Sequence, residues 1–109
     1  MRGTISETHK VDDEGNPAGG TSTGRGVVVS WQDGPLSVDG AAREPTGAFV
    51  EDVIAIAIGR LLFYQRATGG KFACTENEMA IAKLEEALHW LDRRTDDREA
   101  RGVEGTHAP

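Results

Sequence analysis

Three arginines near the end of the chain are the residues whose type and spacing best suit chemistry with an anion. Arg94, Arg98 and Arg101 lie four and three residues apart, so on an α-helix they project along one side. Arg94 and Arg98 are like charges at a spacing that costs roughly 0.2–0.5 kcal/mol, whereas an arginine grips phosphate with two parallel hydrogen bonds. The alternative is that their stems pack at the rim of an apolar stripe while the charged groups stay in water. We interpret the cluster as a candidate phosphate site.

Two residues earlier in the chain add groups that suit a nucleotide. Asn77 has both a donor and an acceptor for a ribose or a base edge, and Phe72 could either stack on a base or pack into the helical core. Asn77 and Arg98 are 21 residues apart, which is roughly 31 Å along a helix. One small ligand does not span that distance. Sharing one ligand therefore requires two antiparallel copies of the helix, in a two-fold dimer with two identical pockets.

Two helices are predicted to carry these residues. Thr46 is a candidate cap for the first helix, and Gly69–Gly70 should end it. Thr75 followed by Glu78 has the spacing of a capping box for the second helix. Gly102 is placed to terminate that helix. The pair should form a hairpin of long antiparallel helices.

The first part of the chain is rich in turn residues and is predicted to form short strands. Thr4–Val11 alternates in polarity, and Val27–Trp31 is rich in β-branched residues. Gly19–Gly20 has the composition of a turn, and residues 19–26 are predicted to form a mobile connection between strands. Residues 37–45 are predicted to form a mobile link to the helices.

The composition limits the classes of protein and of partner. At 109 residues and a net charge of −6, the chain has no general attraction for nucleic acid or an anionic membrane, so an anionic ligand needs a local cluster. Cys74 is the single cysteine, which excludes an internal disulfide. We expect a soluble intracellular α+β protein with a β-rich segment at 1–45 and a helical hairpin with a C-terminal tail at 46–109. These parts should form one structural domain overall, and its small core favours an oligomer.

Catalysis finds little support in the sequence. No histidines have metal-ligand spacing with one another or with Cys74, so we predict no catalytic residue, no metal and no cofactor. Four carboxylates of the second helix suit Mg²⁺ in a metal-dependent nucleotide hydrolase, although they also fit a solvated face. They are Glu85, Glu86, Asp92 and Asp96. A plain oligomerisation module, with arginines paired to acids of a neighbour, is a further alternative.

Several separate motifs occur in order through the helical part of the chain. They are Gly47–Val53, Arg60–Gln65, Lys71–Cys74, Glu76–Asn77, Lys83–Leu88, Arg94–Arg98 and Arg101–His107. Together they resemble a phage family of nucleotide-signal sponges, which includes the anti-CBASS cyclic-oligonucleotide sponges and the Thoeris anti-defence sponges. Three N-terminal segments favour the Thoeris branch. They are His9–Val11, Pro17–Gly20 and Trp31–Pro35.

The resemblance implies a protein that binds without catalysis. Its ligand would be a cyclic ADP-ribose isomer made by defence TIR proteins, such as glycocyclic ADP-ribose, which is held away from its effector and not cleaved. By this likeness Phe72 stacks on adenine, Asn77 hydrogen-bonds the nucleotide, and Arg94 and Arg98 hold the base and phosphates. The expected location is the cytoplasm of the bacterial host.

The resemblance also implies a second site and leaves several alternatives open. Arg101, Thr106 and His107 are candidates for binding cyclic oligonucleotides. Members of the family assemble as dimers or as trimers of dimers, and both states stay open for this chain. So do the preferred isomer and a role as an anti-CBASS sponge for cyclic di- or trinucleotides.

Overall fold

A computed structural model describes residues 2–109 and arranges the chain in two compact units. One unit comprises the chain through Phe49 together with Glu99–Pro109, and the other is Val50–Arg98. The first unit contains all the strands, and the second contains almost all of the two helices. Antiparallel strands followed by two long helices confirm the predicted α+β class. The oligomeric state stays a prediction.

The larger sheet has three antiparallel strands. β1 is Ser6–Val11, β2 is Pro17–Gly24 and β3 is Val27–Trp31, in the spatial order β1-β2-β3. β3 has the predicted bounds, and β1 begins two residues after the predicted Thr4. The indole Nε1 of Trp31 donates to the Ser22 hydroxyl at 2.7 Å, which ties β3 to β2 through side chains.

The central strand β2 passes through glycines that the sequence assigns to a turn and a mobile connection, and both predictions are wrong. Gly20 pairs with His9 on one side and with Trp31 on the other. A Cβ placed on Gly20 would lie 2.1 Å from the carbonyl oxygen of Thr8, and the φ of Gly20 is 136°. Glycine is therefore required here because β1 approaches too closely for a side chain.

The segment between the sheet and the first helix belongs to the β3 edge. The N–H of Ala48 donates to the Ser30 carbonyl at 2.8 Å, and the N–H of Gln32 donates to the Ala48 carbonyl at 3.0 Å. Thr46 donates its N–H to the Gln32 side chain at 2.8 Å, and its hydroxyl accepts from the Asp33 N–H at 3.2 Å. The prediction that Thr46 caps the first helix is wrong, because these bonds occupy it and the helix begins at Val50.

Residues 37–45 form a small hairpin instead of the predicted mobile link. β4 is Ser37–Val38 and β5 is Ala41–Ala42, paired antiparallel. Asp39 and Gly40 both have positive φ, at 51° and 79°, which suits a tight two-residue turn. The Ser37 N–H also donates to the Gly105 carbonyl at 2.7 Å, so the hairpin is tied to the C-terminal tail.

Two helices form the other unit. α1 is Val50–Gly70, and its helical backbone is broken at Ala67–Gly69, so the break begins two residues before the glycines that the sequence predicts as its end. α2 is Thr75–Ala100, and Gly102 follows with a φ of 72°, which confirms its predicted terminating role. No helix within residues 2–109 has the length and apolar character needed to cross a membrane.

The start of α2 differs from the predicted capping box. The helix begins with Thr75, and the Glu78 N–H donates to the Cys74 carbonyl at 3.2 Å. Cys74 therefore precedes the first helical turn, where Thr75 was expected. The capping box is wrong because Cys74 is held by the side chain of Gln65.

Many large apolar side chains are exposed in the part of the chain that the structure describes. Among residues 2–109 only Ile58 and Arg98 are buried, and large side chains such as Ile56 and Trp90 are 74% and 57% exposed. Exposed apolar side chains in such number are typical of chains that bind another copy or another protein.

The close approach at Gly20 predicts the effect of a single methyl group. We expect Gly20→Ala to lower the free energy of unfolding by about 3 kcal/mol or more, because it combines backbone strain with overpacking. Gly15→Ala is the control, since Gly15 has a φ of 82° but nothing within 4 Å of its Cβ position. It should lose only about 1–2 kcal/mol. Urea unfolding followed by circular dichroism measures both, and equal losses would contradict the packing argument.

Candidate ligand-binding site

The four predicted ligand residues lie at the two ends of α2, within the unit Val50–Arg98. Phe72 and Asn77 flank the helix start, and Arg94 and Arg98 lie in its last two turns. Because α2 is continuous, Asn77 is roughly 26 Å from Arg94 along the axis. The structure therefore brings together the members of each pair and keeps the two pairs apart.

The hairpin turn is held by Gln65, a residue that the sequence analysis placed only within a motif. The Gln65 Oε1 accepts the Cys74 N–H at 3.0 Å, and its Nε2 donates to the Cys74 carbonyl at 3.2 Å. The same Oε1 accepts from Asn77 Nδ2 at 3.2 Å. Gln65 follows Ile58 and Leu61 at helical spacing. A carboxamide in that apolar row was the available signal, since a half-buried polar group needs partners.

Phe72 is an open aromatic surface next to this turn. Its side chain is 55% exposed, and the Lys71 ammonium lies 5.4 Å from the ring centroid. A cation placed over an aromatic ring is attracted by the negative face of the ring. The combination presents a stacking surface with a positive charge beside it, which suits a base attached to phosphates.

Arg94 and Arg98 have different environments although they are one turn apart. Arg94 is exposed, and among residues 2–109 it makes no hydrogen bond or ion pair. Arg98 is 5% exposed and has interaction partners. Its burial fits its predicted position on the same stripe as the half-buried Leu84 and Leu91. Arg94 is therefore the accessible guanidinium of the pair.

The candidates for a second site lie in the other unit, in the C-terminal tail. Arg101 Nη2 donates to the Pro109 carbonyl at 2.7 Å, and the Thr106 hydroxyl accepts from the Ala108 N–H at 3.2 Å. His107 is exposed. The pKa of Asp12 is lowered chiefly by the hydrogen bond from the Asn16 N–H, with a small contribution from the charge of His107. The tail polar groups thus have local partners in the protomer.

The larger sheet carries a hollow that sequence reasoning did not find. It has a volume of about 340 Å³, and its lining includes Ile5, Val27, Val29 and two arginines, Arg2 and Arg25. None of the seven predicted ligand residues lines it. The sequence does not predict this hollow. Arg25 lies in a hairpin turn between glycines, and the residues that line the hollow beside it are brought there by the strand register.

The carboxylates weighed for magnesium do not converge in the protomer. Within residues 2–109, no three histidine, cysteine, aspartate or glutamate side chains are placed to hold one metal ion. Glu86 instead lies 3.6 Å from the Lys83 ammonium on an exposed face. The arrangement supports the interpretation of these acids as a solvated surface.

Comparisons with known proteins relate the hairpin to a described family. The family model described as "Acb2/Tad1, hairpin domain" matches residues 27–96, which include Phe72, Asn77 and Arg94. A Bacillus phage SBSphiJ7 protein named "Thoeris anti-defense 1" is 50% identical over 84 residues. The alignment covers 77% of this chain and 54% of the phage protein, so the chain spans about half the length of that relative.

The contrast between the two arginines predicts unequal effects on stability. Arg98→Ala should lower the free energy of unfolding by about 2–3 kcal/mol, because it leaves a cavity and unpaired partners. Arg94→Ala should change it by no more than about 0.5 kcal/mol, since the side chain is exposed. Chemical denaturation of both variants measures the difference, and equal stabilities would contradict the buried placement of Arg98.

Proposed function

We propose that this chain, which belongs to the Acb2/Tad1 hairpin-domain family, is a phage anti-defence protein that sequesters a nucleotide signal. The observation that carries the proposal is the 50% identity over 84 residues to a phage protein named "Thoeris anti-defense 1". The proposed ligand is a cyclic ADP-ribose isomer made by bacterial TIR proteins, with glycocyclic ADP-ribose as the first candidate. The protein withholds it uncleaved from its effector in the cytoplasm of the host.

The exposed groups of the hairpin suit such a ligand. Arg94 has no partner among residues 2–109, so its fork of N–H donors is available for a phosphate. The exposed ring of Phe72 offers a face for adenine, and Asn77 offers polar atoms to a base or ribose. Arg98 would complete the pocket from the apolar stripe, where a lower dielectric strengthens a hydrogen bond to phosphate. The net charge of −6 makes this local cluster necessary.

A pocket that uses residues from both ends of α2 needs a second copy of the chain to complete it. Phe72 and Asn77 lie at one end of the helix and Arg94 at the other, roughly 26 Å away. Two antiparallel copies place Asn77 of one protomer beside Arg94 of its partner, twice. The unburied apolar surface of the helices supports such an assembly, because the contact that forms the pockets also removes this surface from water.

The tail residues define a second proposed site. Arg101, Thr106 and His107 would bind cyclic di- or trinucleotides in an assembly of dimers, as a hexamer. Arg101 already donates to the Pro109 carbonyl, so ligand binding there requires the guanidinium to exchange this bond for a phosphate. A charged acceptor favours that exchange, since hydrogen bonds to an anion are roughly twice as strong.

Depletion and recovery of the signal test the proposal directly. The protein is incubated with the product of a TIR enzyme, the free product is quantified, and the protein is then denatured by heat. A sponge removes the product and returns it intact on heating. Loss of the molecule indicates a hydrolase, and no removal before heating indicates an oligomerisation module. Removal of cyclic oligonucleotides but not of the TIR product indicates an anti-CBASS sponge.

Arg94→Ala should weaken binding of the TIR product by about 100-fold, because a bidentate contact with phosphate is lost. Arg93→Ala is the matched control. Arg93 is the preceding residue on the same helix, but it lies over the Trp90 ring at 5.3 Å and points to another face. Isothermal titration calorimetry gives the affinities. Equal binding by the wild-type protein and the Arg94→Ala variant would remove Arg94 from the site.

A mixing experiment tests whether the pocket is shared between protomers. Asn77→Ala and Arg94→Ala homodimers each have two defective pockets. In a mixed dimer, one pocket combines both substitutions and the other has neither. Random co-assembly of the two variants should therefore restore about a quarter of all pockets, measured as binding stoichiometry.

The same experiment distinguishes a pocket formed within one chain. In that case every protomer carries one substitution, and mixing restores nothing. Size-exclusion chromatography with light scattering confirms that the variants still associate, and a wild-type and double-variant mixture provides the reference stoichiometry. No recovery despite normal association would overturn the shared pocket.

A further inference from the structure

We propose that Gln65 is a positioning residue that fixes the side-chain amide of Asn77, so that Asn77 presents its oxygen to the ligand as a hydrogen-bond acceptor. The inference rests on the proposed function, since it assigns a specificity to the same site. It follows from three hydrogen bonds around the hairpin turn. Its consequence is that the ligand must bring a hydrogen-bond donor to this position.

The orientation of Gln65 is set by backbone groups whose polarity is fixed. Its Oε1 faces the Cys74 N–H at 3.0 Å, and its Nε2 faces the Cys74 carbonyl at 3.2 Å. Rotating the amide by half a turn would place its N–H₂ group against the Cys74 N–H and its oxygen against the Cys74 carbonyl. Only one orientation therefore satisfies both contacts. A side-chain amide that pairs with both polar groups of one residue is therefore not free to flip.

The orientation passes from Gln65 to Asn77 through one contact. Asn77 meets the Gln65 Oε1 with its Nδ2 atom at 3.2 Å. Since Oε1 is an acceptor, the Asn77 oxygen cannot take that place, and Oδ1 points elsewhere. Within residues 2–109, the Asn77 oxygen has no hydrogen-bond donor of its own, and the residue is half-buried. An acceptor held in this orientation favours ligands that bring a hydrogen-bond donor over ligands that lack one.

The same contacts place the neighbouring aromatic residue. Phe72 is two residues before Cys74, in a turn where Thr68, Gly69 and Gly70 have left-handed backbone conformations. The two bonds from Gln65 to Cys74 fix the end of that turn. Gln65 therefore fixes the positions of both Asn77 and Phe72 in this half of the pocket without contacting the ligand itself.

Two groups of a cyclic ADP-ribose isomer carry a suitable donor, and they are the exocyclic amine of adenine and the ribose hydroxyls. The probes are glycocyclic ADP-ribose, its analogue with unsubstituted purine in place of adenine, and its analogue that lacks the free ribose hydroxyls. The wild-type protein should bind one of the two analogues at least about tenfold more weakly than the parent, because its acceptor loses a donor. The analogue that is rejected identifies the donor.

Gln65→Met and Gln65→Glu separate positioning from folding. Methionine keeps the length of the side chain but frees the Asn77 amide to rotate, so the discrimination should fall to about threefold or less. Glutamate still accepts from Cys74 and Asn77 and should retain most of the discrimination. Arg93→Ala should discriminate as the wild type does. If Gln65 had only a structural role, Gln65→Met would bind all three probes more weakly by the same factor. Unchanged discrimination between the probes in Gln65→Met would overturn the proposal.

A measurement without nucleotide distinguishes this proposal from the function on which it rests. If the wild-type protein binds none of the three probes, the proposed function fails. The Asn77 side-chain amide protons, observed by NMR, then decide the positioning role alone. Slow exchange that is lost in Gln65→Met supports it, whereas fast exchange in the wild-type protein overturns it.

Discussion

The uninterrupted course of α2 is the constraint on which the rest of the site depends. A helix of 26 residues is a rod of about 39 Å, and no loop or kink within it brings its ends together. The aromatic and amide groups stand at one end, while the arginines stand at the other. If these residues bind one ligand, as proposed, a protomer alone presents two half-sites. Any ligand of nucleotide size that needs both must find them on different chains, so ligand recognition and self-association become one requirement.

This requirement gives a reason for the poor burial of the chain. Within residues 2–109 only Ile58 and Arg98 are buried, which leaves too little apolar contact to stabilise long helices in an isolated protomer. An antiparallel second copy would supply that contact along the same stripe that presents Arg94 and Asn77. The same interface would then both stabilise the helices and form the ligand pockets. Such an interface would also give a reason for the place of Arg98 on an apolar stripe.

The parts of the fold that the sequence predicts are those determined by local patterns. β3 follows from consecutive β-branched residues, and the end of α2 follows from Gly102, whose left-handed backbone suits a helix terminus. The failures have a common origin in contacts between distant residues. Gly20 lies within a strand because β1 approaches its backbone, and Thr46 is drawn to the sheet edge by Gln32. Neither contact can be predicted from the residues next to Gly20 or Thr46 in the sequence.

The residues of the candidate site also fall into those that local sequence predicts and those that depend on distant contacts. Phe72, Asn77, Arg94 and Arg98 were suggested by residue type and helical spacing, whereas Gln65 acts through a turn that only the folded chain defines. A chain with so little core must hold its loops by hydrogen bonds, and glutamine does so twice, at Gln32 and at Gln65. Side-chain amides tied to backbone groups fix a loop before a ligand arrives. Less conformational freedom is then lost on binding, which favours the high affinity that the proposed sequestration of a ligand demands.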